Sequence, residues 1–146
     1  MITTMDPHLL PYAERQAPRY TSYPSAPHFS ADVDGALYQS WLGALPERAA
    51  LSLYLHIPYC KQLCWYCGCN TYLTRGGDIP DFVTTLMTEI DLVASAIGSH
   101  NVSEIHWGGG TPNILSPDEF LRLQHHLDFW FDLAPNLSHA IELDPR

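Results

Sequence analysis

The chain has 146 residues, enough to bury a core, and a net charge of −9 with one lysine and six arginines. No basic stripe is present, which argues against nucleic acid as a partner, and no apolar run approaches the length of a membrane span. The N-terminus lacks the basic region and apolar core of a secretory signal, so the expected compartment is the reducing cytoplasm.

Residues 1–30 carry Pro7, Pro11, Pro18, Pro24 and Pro27. Proline fixes φ and removes a backbone donor, so this stretch reads as an extended N-terminal arm with turns. Residues 31–43 predict a short helix with Val33, Leu37, Trp41 and Leu42 on one face, ended by Pro46. Leu51, Leu53, Leu55 and Ile57 then alternate with Ser52, Tyr54 and His56, the period of a strand. Phe82, Leu86, Ile90, Val93 and Ile97 recur at helical spacing, with Asp78 or Asp81 near the start and Gly98 at the end.

A second strand is expected over 102–107, closed by Gly108-Gly-Gly110. Ser116-Pro-Asp-Glu119 has the form of a capping box, opening a helix that buries Phe120, Leu123, Leu127 and Trp130. His139–Leu143 reads as a third strand, with Ala140, Glu142 and Asp144 on one face. Strand, helix, strand, helix, strand in this order argues for an α/β fold with parallel strands. Three strands cannot close a barrel, so the chain reads as the N-terminal part of a longer enzyme. Its division is expected to be an arm with a short helix over 1–46 and the strand–helix units over 47–146.

Between the first strand and the first long helix stands Cys60-Lys-Gln-Leu-Cys64-Trp-Tyr-Cys67-Gly-Cys69. A loop at the C-terminal end of a strand is where α/β folds place ligand chemistry. The C-x3-C-x2-C spacing suits a 4Fe–4S cluster with one iron left open, because three thiolates satisfy three irons. Zinc sites usually join two separated ligand pairs, which this crowding disfavours. A thioredoxin-like C-x-x-C leaves Cys60 and Cys69 unexplained. An electron-transfer cluster module, a reading from a different class, would normally supply four ligands. Trp65 and Tyr66 inside the loop are expected to limit water access to the cluster.

The string Tyr54-Leu-His-Ile-Pro-Tyr-Cys60-x3-Cys64-x2-Cys67-Gly-Cys69-Asn70 resembles the radical S-adenosylmethionine superfamily. Arg19-Tyr-Thr-Ser-Tyr-Pro24, Trp107-Gly-Gly-Gly-Thr-Pro112, Ile141-Glu-Leu-Asp-Pro-Arg146 and the fourth cysteine narrow the resemblance to the oxygen-independent coproporphyrinogen III oxidases. It implies the first strands of a radical-SAM partial (β/α)6 barrel. It also implies oxidative decarboxylation of coproporphyrinogen III to protoporphyrinogen IX in haem biosynthesis. The implied cofactors are a 4Fe–4S cluster and S-adenosyl-L-methionine, which together make a 5′-deoxyadenosyl radical. A reductant such as flavodoxin or ferredoxin and a monomeric state complete the expectation. The alternative is a haem chaperone or other porphyrin-related radical protein, relatives that typically lack the fourth cysteine and the arm.

Carried onto this sequence, the resemblance makes Cys60, Cys64 and Cys67 the metal ligands. Gly109, Gly110, Thr111 and Glu142 become S-adenosylmethionine contacts, with Tyr54 near both cluster and cofactor. Cys69 matches a family cysteine that does not ligate the cluster; a catalytic role and a small apolar packing role both fit it. Glu142 could instead pair with an arginine beyond this stretch. His56 shares the face of Tyr54 and is a catalytic candidate or a satisfied core histidine. Tyr20 and Tyr23 on the arm either cover the site or simply pack. The substrate's four carboxylates call for arginines this chain lacks, so most of that recognition, and a second S-adenosylmethionine site, are expected beyond Arg146. The chain alone is therefore expected to be unable to turn over.

Overall fold

The structure is a computed structural model that describes residues 8, 11, 25–98 and 100–145. The Arg19–Pro24 segment with Tyr20 and Tyr23, and Arg146, lie outside the described residues. The chain divides into two compact units, Met1–Asp34 and Gly35–Arg146. In the first, Ala26–His28 form a 3-10 turn, and Ser25 Oγ lies 2.9 Å from His28 Nδ1.

The second unit opens with α1, Gly35–Gly43. This helix starts later than the sequence suggests and ends before Pro46; Val33 precedes it, and Val33 and Trp41 are exposed. No α1 residue is fully buried, and only Leu42, with Leu45 just beyond, packs against the core. Half of the expected apolar face is thus uncovered, while Leu37 and Leu42 are half-buried.

Strand β1 spans Leu51–Ile57, and its alternation is as expected: Leu55 and Ile57 are buried, Tyr54 and His56 face the other way. Two short strands follow, β2 (Tyr59–Cys60) and β3 (Tyr72–Leu73), paired in parallel. The cysteine loop is the crossover between them. Helix α2 spans Ile79–Ile97. Asp78 sits at its N-cap, but no side-chain cap bond forms, because the carboxylate accepts from Thr74 Oγ1 at 2.8 Å. Gly98 ends it with φ +71°, a conformation that glycine adopts without Cβ strain.

Strand β4 runs Asn101–Gly109, through two of the three glycines expected to close it. A 3-10 turn at Pro112–Ile114 leads to α3, Pro117–Trp130. Its capping box is formed: Ser116 Oγ accepts from Glu119 N at 3.3 Å, and Glu119 Oε2 accepts from Ser116 N at 2.8 Å. Strand β5, Asp132–Ile141, starts seven residues earlier than the sequence reading and ends before Glu142. Its register jumps from Val102↔Leu133 to Glu104↔Ser138, so Ala134–Leu137 bulge out of the ladder.

The main sheet has order β1-β4-β5, with both pairings parallel. One face packs on α2 and α3: Leu55, Ile57, Ile105 and Trp107 meet Val83, Ile90, Leu123 and Leu127. Trp107 stacks near Phe120 with centroids 4.6 Å apart and donates its Nε1–H to His139 Nε2 at 3.0 Å. Asp91 Oδ1 ties the two helices, accepting from His126 Nε2 at 2.7 Å and Trp130 Nε1 at 2.6 Å. No helix among the described residues is long and apolar enough to cross a membrane.

Leu123→Ala should lower stability by about 2–5 kcal/mol, since Leu123 is fully buried. Ser116→Ala should cost about 1 kcal/mol through the lost cap. Urea unfolding followed by far-UV circular dichroism checks both.

Candidate functional site

The face of the sheet opposite the helices carries Tyr54 and His56 on β1 in register with His106 and Gly108 on β4. Parallel strands deliver their C-terminal ends to one edge, so the cysteine loop, the glycine turn and Glu142 arrive together. Gly110 N donates to Ile57 O at 2.8 Å and Thr111 N to Tyr59 O at 2.9 Å, lashing the glycine turn to the end of β1. Tyr72 N to Pro58 O and Thr74 N to Cys60 O, at 2.6 and 3.0 Å, do the same for the far end of the cysteine loop.

The glycines permit this closeness. A Cβ on Gly108 would lie 2.7 Å from the Tyr54 ring and 2.9 Å from Glu142 Oε1. On Gly110 it would lie 2.5 Å from Thr71 Oγ1 and 3.0 Å from Cys60 Sγ. Gly109 has φ +110°, a region that side chains resist.

Glu142 stands one residue past β5, not on it, yet its N–H still donates to Trp107 O at 2.9 Å. Its carboxylate lies 3.2 Å from Gly109 N and 3.3 Å from His106 Nε2. Just beyond, Asn113 and Asp144 exchange two bonds of 3.2 Å, which fix the chain that follows. The sequence reading missed His106 and Asn113. Alternation along β4 pointed to His106, two residues before Gly108; nothing local pointed to Asn113.

His56 Nε2 lies 2.9 Å from Asn70 O and Nδ1 lies 3.1 Å from Tyr54 Oη. A carbonyl only accepts, so Nε2 carries the proton and Nδ1 accepts from the tyrosine hydroxyl. The ring therefore brackets the end of the cysteine loop to Tyr54, and both of its nitrogens are engaged within the protein. Tyr54 is pushed above the ordinary tyrosine pKa by burial first, then by negative charge on Glu142 and Cys69.

All four cysteines are thiols rather than disulfides. Cys60 is only 7% exposed, Cys64 is half-buried, and Cys67 and Cys69 are exposed. Thr111 Oγ1 approaches Cys60 Sγ to 3.0 Å and Thr71 Oγ1 to 3.3 Å. The Cys69 thiol, though exposed, is pushed above its ordinary value by partial desolvation first, then chiefly by Cys67 and Glu142. Trp65 and Tyr66 are fully or nearly fully exposed, so they do not shield the loop from water as the sequence suggested. Among the described residues, no three His, Cys, Asp or Glu converge to hold a single metal ion. A cubane asks for something different, since each thiolate binds its own iron. A cavity of about 320 Å³ beside β1 is lined by Leu42, Leu53, Leu86, Ile90 and their neighbours, Tyr54 among them. None of the cysteines or turn glycines lines it.

No family model matches the chain. It is 48% identical over 137 residues to the oxygen-independent coproporphyrinogen III oxidase of Bradyrhizobium diazoefficiens, covering 92% of this chain and 30% of that protein. The protein of the same description from Escherichia coli K12 is 42% identical over 130 residues, covering 88% and 28%. A solved structure of coproporphyrinogen III oxidase from Escherichia coli, described as a radical SAM enzyme, superposes with a TM-score of 0.80 at 37% identity. That match covers 97% of this chain and 31% of the solved one. The chain is thus homologous to the N-terminal portion of these proteins and spans about 30% of their length.

Gly110→Ala should push Thr71 away from Cys60 and cost about 1–3 kcal/mol by overpacking. Thermal unfolding, and faster alkylation of Cys60 in protein free of metal, would show the opening.

Proposed function

We propose that the chain is the cofactor-binding portion of an oxygen-independent coproporphyrinogen III oxidase, which converts coproporphyrinogen III to protoporphyrinogen IX. The observation that carries this reading is the meeting of Tyr54, Gly109 N–H and the Glu142 carboxylate beside a C-x3-C-x2-C loop at one end of a parallel sheet. The homology to proteins of that name supports it. On this reading the three-stranded sheet is the first part of a partial (β/α)6 barrel, and the proline-rich stretch before Pro46 is its arm. The expected reductant is a flavodoxin or ferredoxin, and the expected compartment is the cytoplasm, where close cysteines stay reduced.

The residues present fit a 4Fe–4S cluster and S-adenosylmethionine. The donor set is soft thiolate, and the most buried thiol has hydroxyl groups directed at its sulfur. Cys60, Cys64 and Cys67 would hold the cluster, and Cys69 would stay off the metal. Tyr54, Gly109, Gly110, Thr111 and Glu142 would hold S-adenosylmethionine. When bound, such a pair supplies one-electron reductive cleavage of a sulfonium, giving a carbon radical able to take hydrogen from a propionate side chain.

The chain's own residues supply position and charge. Glu142 offers the anion that an ammonium or sulfonium group needs, held in place by Gly109 N–H and faced by His106. Tyr54 keeps its phenolic proton and commits it to His56, leaving lone pairs on its oxygen for a ligand donor. His56 in turn holds Asn70, so the loop and the cofactor-facing strand move as one piece.

In the full-length protein, Cys67→Ser should assemble no oxygen-labile cluster after anaerobic reconstitution, while Cys69→Ser keeps its absorbance and EPR signal. Adding S-adenosylmethionine to the wild-type protein should perturb that EPR signal. A signal indifferent to S-adenosylmethionine, or haem transfer without decarboxylation of coproporphyrinogen, would count against the reading.

A further inference from the structure

The three expected ligands do not share one environment. Cys67 is exposed and Cys64 half-buried, whereas Cys60 is 7% exposed and sits on β2 inside a backbone frame. Two hydroxyls from different segments lie within donating distance of its sulfur: Thr111 Oγ1 of the glycine turn at 3.0 Å, and Thr71 Oγ1 at the end of the cysteine loop at 3.3 Å. Both threonines are fixed by the chain around them. Thr111 N donates to Tyr59 O at 2.9 Å, and Tyr72 N, next to Thr71, donates to Pro58 O at 2.6 Å. Gly110 leaves the gap that Thr71 fills, since a Cβ there would lie 2.5 Å from Thr71 Oγ1.

Thr71 Oγ1 also lies 3.1 Å from Pro58 O, and it has one proton for two acceptors. A neutral thiol is the weaker acceptor, so with a thiol the carbonyl competes well. A ligating thiolate carries negative charge and draws the proton to itself. Thr71 is therefore a donor whose engagement follows the charge on Cys60, while Thr111 is directed at the sulfur.

We infer that Thr71 and Thr111 form a two-hydroxyl donor pair that stabilises the Cys60 thiolate and raises the reduction potential of the iron–sulfur group it would ligate. The inference rests on the proposed function. One-electron reduction takes an electron from a low-potential donor of the flavodoxin or ferredoxin class, with no bond formed or broken. The added negative charge is shared by the coordinating sulfurs, and hydrogen bonds to those sulfurs favour the more negative state. The threonines act through Cys60, as positioning residues.

The test uses full-length protein, reconstituted anaerobically and titrated by EPR-monitored potentiometry without S-adenosylmethionine. Thr71→Val and Thr111→Val should each move the midpoint to more negative potential, and the double variant further. Thr71→Ser and Thr111→Ser, which keep the hydroxyl, should retain the wild-type midpoint. Valine variants that carry a cluster at the wild-type midpoint overturn the inference. Loss of the cluster in the valine variants but not in the serine variants supports it, because the hydroxyl is what the serines preserve. Loss in both sets assigns the threonines to packing and overturns it. A wild-type protein that takes up no cluster overturns the proposed function as well. A cluster that responds to S-adenosylmethionine but is indifferent to the threonines overturns this inference alone.

Discussion

The close passage of Gly108–Gly110 across the end of β1 is the constraint on which the site depends. At Gly108 and Gly110 a single added carbon would come within 3 Å of a site residue, Tyr54 and Glu142 in one case and Thr71 in the other. At Gly109 the same carbon would meet the His56 ring at 2.8 Å. The passage is held by main-chain bonds from Gly110 and Thr111 to the carbonyls of Ile57 and Tyr59. Those carbonyls flank Pro58 and Cys60, so the backbone that positions the glycine turn also positions the buried thiol. A larger residue would disturb the loop and the turn together.

Core and site are linked through the period of the sheet. Leu55 and Ile57 bury on the helix side of β1, which forces Tyr54 and His56 to the opposite face. Ile105 and Trp107 do the same for His106 and Gly108. A one-residue slip would turn every one of these side chains over, exposing four apolar groups and burying the site. The energetics of packing therefore specify the register that the chemistry needs. Trp107 is the largest of these anchors, and its indole N–H is satisfied by His139, so its burial leaves no orphaned donor.

Much of this could be read in the sequence because its signals are local. The alternation of 51–57, the capping box at Ser116 and the cysteine spacing each lie within a few residues. What escaped was set by contacts distant in sequence. The sequence reading began the third strand only at His139, whereas the structure pairs Asp132 and Leu133 with β4, lets Ala134–Leu137 bulge around Pro135, which has no N–H for a ladder, and resumes pairing at Ser138. Strands β2 and β3 exist because the crossover brings Tyr59 beside Tyr72, a pairing that no pattern of two residues announces. Thr71 is a loop residue of an ordinary kind until Gly110 packs against it.

The charges around the site bear on what it is built to receive. Its named polar groups are the Glu142 carboxylate, the Tyr54 phenol, the Thr71 and Thr111 hydroxyls, two imidazoles and thiols, in a chain with a net charge of −9. A tetra-anionic porphyrinogen would find little there to pair with, because recognition of carboxylates calls for guanidinium or ammonium donors. A ligand with a positive ammonium and sulfonium would find an oriented carboxylate and an aromatic ring beside it. That asymmetry accords with the proposed function, in which Glu142 and Tyr54 would face a cation-bearing cofactor.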